Sequence, residues 1–250
     1  MYYEVVGSNV RLAGSLHRLP ATAPTLPEWV VDAYTWTEEV VLEADSSTAL
    51  QHFWRADNSS LEDSLPTPVW QALSGIWPKS GPLANLRSLK QWAALMTLPL
   101  LLMPTADGVE SLLTSRARQD GKPIRYLETM AEFSALAEQV PDGEYAGVLS
   151  EALAAPTEIA KGLLDLNGVW QARDIAALEA ILPRTLLGRS ALLSHYALDR
   201  RNESWLPKIL EARQANRRIL FAVGALHLVG PSGILARLVA VGQKLRPLLP

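Results

Sequence analysis

The chain has no cysteine among its 250 residues. This excludes disulfides, thiolate metal sites and cysteine nucleophiles, so any metal must be held by histidines and carboxylates. Histidine is scarce too, with four copies, His17, His52, His195 and His227. No charge of one sign dominates: 23 Lys and Arg against 26 Asp and Glu leave a formal charge of −3. A surface so balanced lacks the basic footprint needed for nucleic acid or an anionic membrane. The longest apolar run, Ala93 to Met103, is short and interrupted by Pro99, so no integral membrane segment is expected. Met1-Tyr2-Tyr3-Glu4 has neither the basic nor the apolar region of a signal peptide. As given, the chain reads as cytoplasmic, or as exported if a leader has been removed. Phosphate-binding glycine loops are missing, and Ser15 sits in Gly-Ser-Leu-His rather than the nucleophile elbow G-x-S-x-G, which makes a serine hydrolase a poor fit.

With 48% hydrophobic and 20% charged residues, what is present suits a single globular domain over residues 1–250. A hairpin is expected at Tyr2 to Val6 and Val10 to Leu16 around Gly7-Ser8-Asn9, then a helix after Pro27 and a buried strand Glu39 to Glu43. Residues 46 to 105 carry four of the eight tryptophans, and many prolines and serines, and read as a helical cap. A helix from Val109, a strand Ile124 to Glu128 and a capping box Thr129 to Glu132 follow. Residues 144 to 217 are helix-like. Arg218 to Val223 returns to strand, followed by a turn at Gly230-Pro231-Ser232-Gly233, a helix to Val241, and an edge strand Lys244 to Leu249 containing Pro247. The fold class is therefore α/β, verging on α+β: a central mixed sheet from the N- and C-terminal segments, flanked by helices, with a helical insertion.

A short pattern occurs twice, 210 positions apart: Gly14-Ser15-Leu16-His17 and Gly224-Ala225-Leu226-His227. Each copy ends a buried-looking strand, so alternation puts the small residue and the histidine on one face, and two such strands side by side bring the two histidines together. Two further strands end in Glu43 and Glu128. A histidine near a strand end is commonly a hydrogen-bonded structural residue, and a glutamate after an apolar strand is commonly the first polar residue outside the core. The repeated context is what singles out His17 and His227. Together the four strands would deliver two imidazoles and two carboxylates to one sheet edge, a donor set for a labile divalent ion such as Mn, Co or Zn. His52 and His195 read as packing or surface residues. Arg200-Arg201-Asn202 reads as a helix start ordinarily left in solvent; a functional version has Arg201 pair with a carboxylate or a developing oxyanion and Asn202 orient a ligand.

At these residues the chain resembles the TraB/GumN family, which also includes the PrgY-type pheromone-shutdown proteins and the Tiki-type metalloproteases. The likeness runs through VRLAGSLHRLP, LPEWVVDAYTWTEEVVLEAD, DGVESLLTSRARQDGKPIRYLET, RNESWLPKIL and LFAVGALHLVGPSGILARL. One departure is Gln91, where the family pattern leads to an expectation of proline. The resemblance implies a sheet flanked by helices with both Gly-x-x-His motifs at the active edge. It matches His17 and His227 to the motif histidines, Glu43 and Glu128 to the two acids, and Arg201 and Asn202 to the RN pair. The expected activity is divalent-metal-dependent hydrolysis of a peptide or amide bond. In it His17, His227 and Glu43 hold the ion, Glu43 or Glu128 serves as base, and Arg201 and Asn202 steady developing negative charge. The competing expectation is a protein that binds and sequesters a peptide or small ligand without cleaving it.

Overall fold

The computed structural model describes residues 1–57 and 59–248. The chain opens with β1 (Tyr2–Val5), β2 (Val10–Ser15) and β3 (Arg18–Pro20), then α1 (Glu28–Trp36) and β4 (Glu39–Leu42). Next come α2 (Thr67–Ile76), α3 (Gln91–Leu102), β5 (Thr105–Asp107), α4 (Val109–Gln119) and β6 (Ile124–Tyr126). The helical middle is α5 (Met130–Ala137), α6 (Asp142–Ala154), α7 (Pro156–Gln171), α8 (Ile175–Ile181), α9 (Ala191–Ser194) and α10 (Arg200–Ala212). The chain returns to the sheet as β7 (Ile219–Gly224), then α11 (Ile234–Ala240) and β8 (Leu245–Pro247). The expected last strand reached Leu249, which lies outside the described residues.

Six strands form one mixed sheet in the order β6-β4-β7-β2-β1-β8, and β3 pairs with β5 in a small second sheet. The fold is α/β. All six residues of β7 are buried, as a central strand covered on both faces requires, and it runs parallel to β2 on one side and β4 on the other. The C-terminal part of the chain is thus wedged between two N-terminal strands. That places the ends of β2, β4 and β7 on one edge. Pro247 is tolerated because β8 closes the sheet as an edge strand, paired only to β1. Among the described residues no helix is long and apolar enough to cross a membrane.

A second apolar core lies apart from the one around the sheet. It joins Leu61, Leu73, Leu89, Trp92 and Leu98 to Leu149, Ile159 and Leu193, so the helical cover extends beyond residues 46 to 105 into α6 and α7. Gln91 occupies the first turn of α3, a position that suits proline, and its buried amide oxygen accepts a hydrogen bond from Arg55 Nη2 at 2.7 Å.

One expectation about the repeated motif fails. Both strands stop before their histidines: β2 ends at Ser15, and after Gly224 the residues Ala225–Leu228 form a 3-10 turn, so strand alternation does not govern His227. The reason is a close approach. At Gly14 a side-chain carbon would lie 3.1 Å from Leu228 Cδ1 and 3.2 Å from Ala225 Cα, so the bare glycine of the first motif lets the turn of the second fold down over it. Gly108 serves the first histidine similarly, since a Cβ there would lie 2.1 Å from the His17 carbonyl oxygen. We predict that Gly108→Ala lowers stability by more than about 2 kcal/mol in urea unfolding. Gly147→Ala, in α6 with nothing within 4 Å, should instead raise it by about 0.5–1 kcal/mol.

Candidate functional site

At the carboxyl edge of the sheet, Glu43 follows β4 and Glu128 follows β6. The pairing continues past both strands, with the Glu128 N–H donating to the Glu43 carbonyl at 2.9 Å, so the two acids lie side by side. Both are 6% exposed. A buried pair of carboxylates is costly unless a cation answers it, and here that cation is Arg201, also buried. Its Nη2 lies 2.5 Å from Glu43 Oε2 and 2.6 Å from Glu128 Oε1, and Nε donates to Glu128 Oε1 at 2.7 Å. Nη1 donates to the Ala197 carbonyl at 3.1 Å and lies 3.1 Å from His227 Nε2. Four of these contacts are hydrogen bonds, and the fifth, Nη2 to Glu128 Oε1, is an ion-pair contact. Trp205, one helical turn on from Arg201, completes the set: its Nε1 donates to Glu128 Oε2 at 3.1 Å, and its ring packs under Arg201 and beside His227.

Of the two readings of Arg201 and Asn202, a solvated helix start or a pairing of Arg201 with a carboxylate, the structure has the second, and both residues are buried. A π-turn, His195–Asp199, leads straight into α10, so the helix does not begin in solvent at Arg200. Consecutive positions on the helix point in different directions, which sends Arg201 to the acids and Asn202 to His227. Asn202 Nδ2 is fixed on two carbonyls, those of His227 at 3.3 Å and Ser232 at 3.0 Å. Its Oδ1 therefore faces His227 Nδ1 at 2.7 Å, so the proton sits on Nδ1 and the Nε2 lone pair is free to accept from Arg201. His17 is held in the same way by a different group. Its Nδ1 donates to Glu110 Oε1 at 3.0 Å, an acceptor that Ser15 Oγ also uses.

Both imidazoles thus turn Nε2 toward the same atom, Glu43 Oε1, at 3.9 Å for His17 and 3.7 Å for His227. The Gly224 N–H donates to this oxygen at 2.5 Å. His17 keeps 55% of its side chain exposed while His227 keeps 3%, so the site opens to solvent past His17.

The field of these groups sets their protonation. Glu110, then Glu43, raises His17 to about 9 against the opposing effect of burial. Burial lowers His227 to about 3. Burial also pushes Glu43 up, but Arg201, the two imidazoles and the Gly224 amide outweigh it and hold the carboxyl well below the ordinary range. For Glu128 burial prevails over Arg201 and raises it.

The structure brings together His17, Glu43, Glu128, Arg201, Asn202 and His227, all of the residues singled out in the sequence. His52 lies apart, at the end of a 3-10 turn, and His195 faces Asp199 on the π-turn. Glu110 is the residue that the sequence reading missed. It lies in the first turn of α4, where an acid is accounted for by the helix dipole alone. The available signal was Gly108 two residues earlier, a glycine that allows α4 to start directly against His17. One donor atom each from His17, Glu43 and Glu110 lies within 4.8 Å of the others.

A buried Arg and carboxylate cluster flanked by two oriented histidines, at the edge of a mixed α/β sheet, defines the class of site. Residues 4–247 match the TraB/PrgY/gumN family, and the chain belongs to it. Comparison with curated proteins and with solved structures found no match.

Two predictions follow from the charges. Arg201→Met strands Glu43 and Glu128 without their cation and should cost about 3–5 kcal/mol in urea unfolding. His227 has a folded-state pKa below its unfolded value of 6.5, so its contribution is present above pH 6.5 and is lost as pH falls. His17, raised instead, contributes a constant amount below its unfolded value of 6.5. The His227 contribution should therefore fall by up to about 1.4 kcal/mol per pH unit between pH 6.5 and 5, read as the difference in urea-unfolding stability between wild type and His227→Gln across that range.

Proposed function

We propose that the protein is a divalent-metal-dependent hydrolase acting on a peptide or amide bond. The observation that carries this reading is the convergence of two imidazole Nε2 atoms on Glu43 Oε1, each ring having its Nδ1–H anchored on an oxygen, Glu110 for His17 and Asn202 for His227. Metal-ligating histidines are ordinarily oriented in this way. Two further features fit an ion such as Mn, Co or Zn. A Cβ on Gly224 would lie 3.0 Å from Glu43 Oε1, 3.3 Å from His17 Nε2 and 3.5 Å from His227 Cδ2, so the glycine keeps clear the space among the three donors. Glu110 Oε2 is buried without a hydrogen-bond partner.

On this reading His17, His227 and Glu43 hold the ion. When bound, it supplies Lewis-acid chemistry, polarising a carbonyl and making water nucleophilic at neutral pH. Among Glu43, Glu110 and Glu128, the oxygen left to take a proton from attacking water is Glu110 Oε2. Both oxygens of Glu128 are committed, to Arg201 and Trp205, and Glu43 is too weakly basic. Arg201 and Asn202 have no donor to spare for a substrate oxyanion. They act as positioning residues, Arg201 for the acids and Asn202 for the His227 tautomer. Substrate enters past His17, the exposed member.

His227 Nε2 is shared with Arg201 Nη1, whereas His17 Nε2 has no such competitor. His17→Ala should therefore lower Mn or Zn affinity at least about 100-fold by calorimetry, and His227→Ala by less. Glu110→Gln should keep the ion yet lose at least about 100-fold in cleavage of a peptide library read by mass spectrometry. Unchanged metal binding in folded His17→Ala protein, or bound peptides recovered intact with the metal present, would replace this reading, the latter with sequestration.

A further inference from the structure

Away from the histidines, between the C-terminal half of α10 and the outer strands of the sheet, there is an open cleft of about 430 Å³. This is in the size range of small-molecule sites. Its floor is a transverse row of the sheet: Val41 pairs with Arg125 on β6 and with Phe221 on β7. Val41 and Phe221 are buried side chains, so the floor is apolar. The rim is cationic, formed by Arg125, Lys208 and Arg217 together with Glu211.

Glu39, 1% exposed, explains why the two arginines stand where they do. It takes Arg125 Nε on one oxygen and Arg217 Nε on the other. Each guanidinium is thereby oriented through its inner nitrogen, and both side chains remain more than half exposed. Among the described residues, the terminal nitrogens of Arg125 and Arg217 have no hydrogen-bond partner. Lys208 is anchored on the Leu127 carbonyl and has no carboxylate partner among those residues. Three cations face Glu39 and Glu211 around an apolar floor. Guanidinium groups held in a fixed orientation match a carboxylate with little ordering cost.

We propose that this cleft binds a small carboxylate, a flat or short apolar acid whose body covers Val41 and Phe221 and whose single negative charge meets Arg125, Lys208 and Arg217. The apolar floor selects an acid with an apolar body over inorganic phosphate. This site is independent of the histidine site.

Benzoate is the probe, with benzyl alcohol and inorganic phosphate as controls, titrated by ligand-observed NMR into the full chain. Benzoate should bind and benzyl alcohol should not. Lys208→Gln and Arg217→Gln should each weaken benzoate about tenfold, which corresponds to about 1.4 kcal/mol, while Mn or Zn binding stays as in wild type. Lys208→Gln changes an exposed end of a side chain and keeps the test open if Arg217→Gln fails to fold. Equal benzoate binding in folded Lys208→Gln protein, no binding to wild type, or phosphate outcompeting benzoate at equal concentration would overturn the proposal.

Discussion

The site depends on one buried guanidinium. Glu43 and Glu128 are forced together because β4 and β6 are neighbours and each ends in an acid, and neither carboxylate can reach bulk water. Arg201 resolves that repulsion and, with its remaining hydrogens, fixes Ala197 and His227. Because its hydrogen bonds and ion pairs are all made inside the protein, Arg201 ties together β4, β6, the π-turn, α10 and the turn after β7. The cost of burying it is met by two carboxylates, a carbonyl and an imidazole, and by the faces of Trp205 and Phe133. Its position therefore fixes Glu43, Glu128 and His227 relative to one another.

The same charges account for the contrast between the two histidines. His227 is buried beside a cation and stays neutral, with its tautomer dictated by Asn202. His17 faces solvent between Glu110 and Glu43 and holds an additional proton. Counting Glu43, Glu110 and Glu128 against Arg201, the cluster carries excess negative charge, so it attracts a positive species at the His17 end. In the metal-free protein a proton on His17 meets part of that demand. On the proposed reading a divalent ion takes its place, and the field that raises the His17 pKa is the one that would draw the ion in.

Much of this was legible in the sequence because strand and helix periodicities are local. The hairpin, β4, the Thr129 capping box and α10 follow from neighbouring residues, and the repeated Gly-x-x-His pattern with two strand-end acids marked the edge. What was not legible depended on contacts distant in sequence. Ala225–Leu228 could have continued β7, and it turns instead because Gly14, over 200 positions earlier, leaves room. Arg201 could be read either as a solvated residue or as the partner of a carboxylate, and its sequence neighbours do not decide between them because its partners come from two other strands. Glu110 was hidden by an adequate local explanation, the helix dipole, which is silent about His17. The second core joins segments separated by some 50 residues, and no local pattern encodes that pairing.

Gly14 and Gly224 show why the motif carries glycine at both copies although the two perform different tasks. In the parallel pairing Gly14 lies opposite Val223 and Ser15 opposite Gly224, so the copies are out of step by one residue. Gly14 consequently faces the turn that bears His227, while Gly224 faces Glu43 and His17. In register, the two glycines would oppose each other and leave one gap. Staggered, each makes room for the other copy's histidine: Gly14 by admitting the turn, Gly224 by keeping clear the space in front of His17 Nε2. An added methyl at Gly224 would meet the donor atoms themselves, at 3.0 and 3.3 Å, whereas at Gly14 it would displace only the turn that carries His227. The repeat is therefore a reciprocal packing device, and the convergence of both imidazoles on Glu43 follows from the one-residue offset.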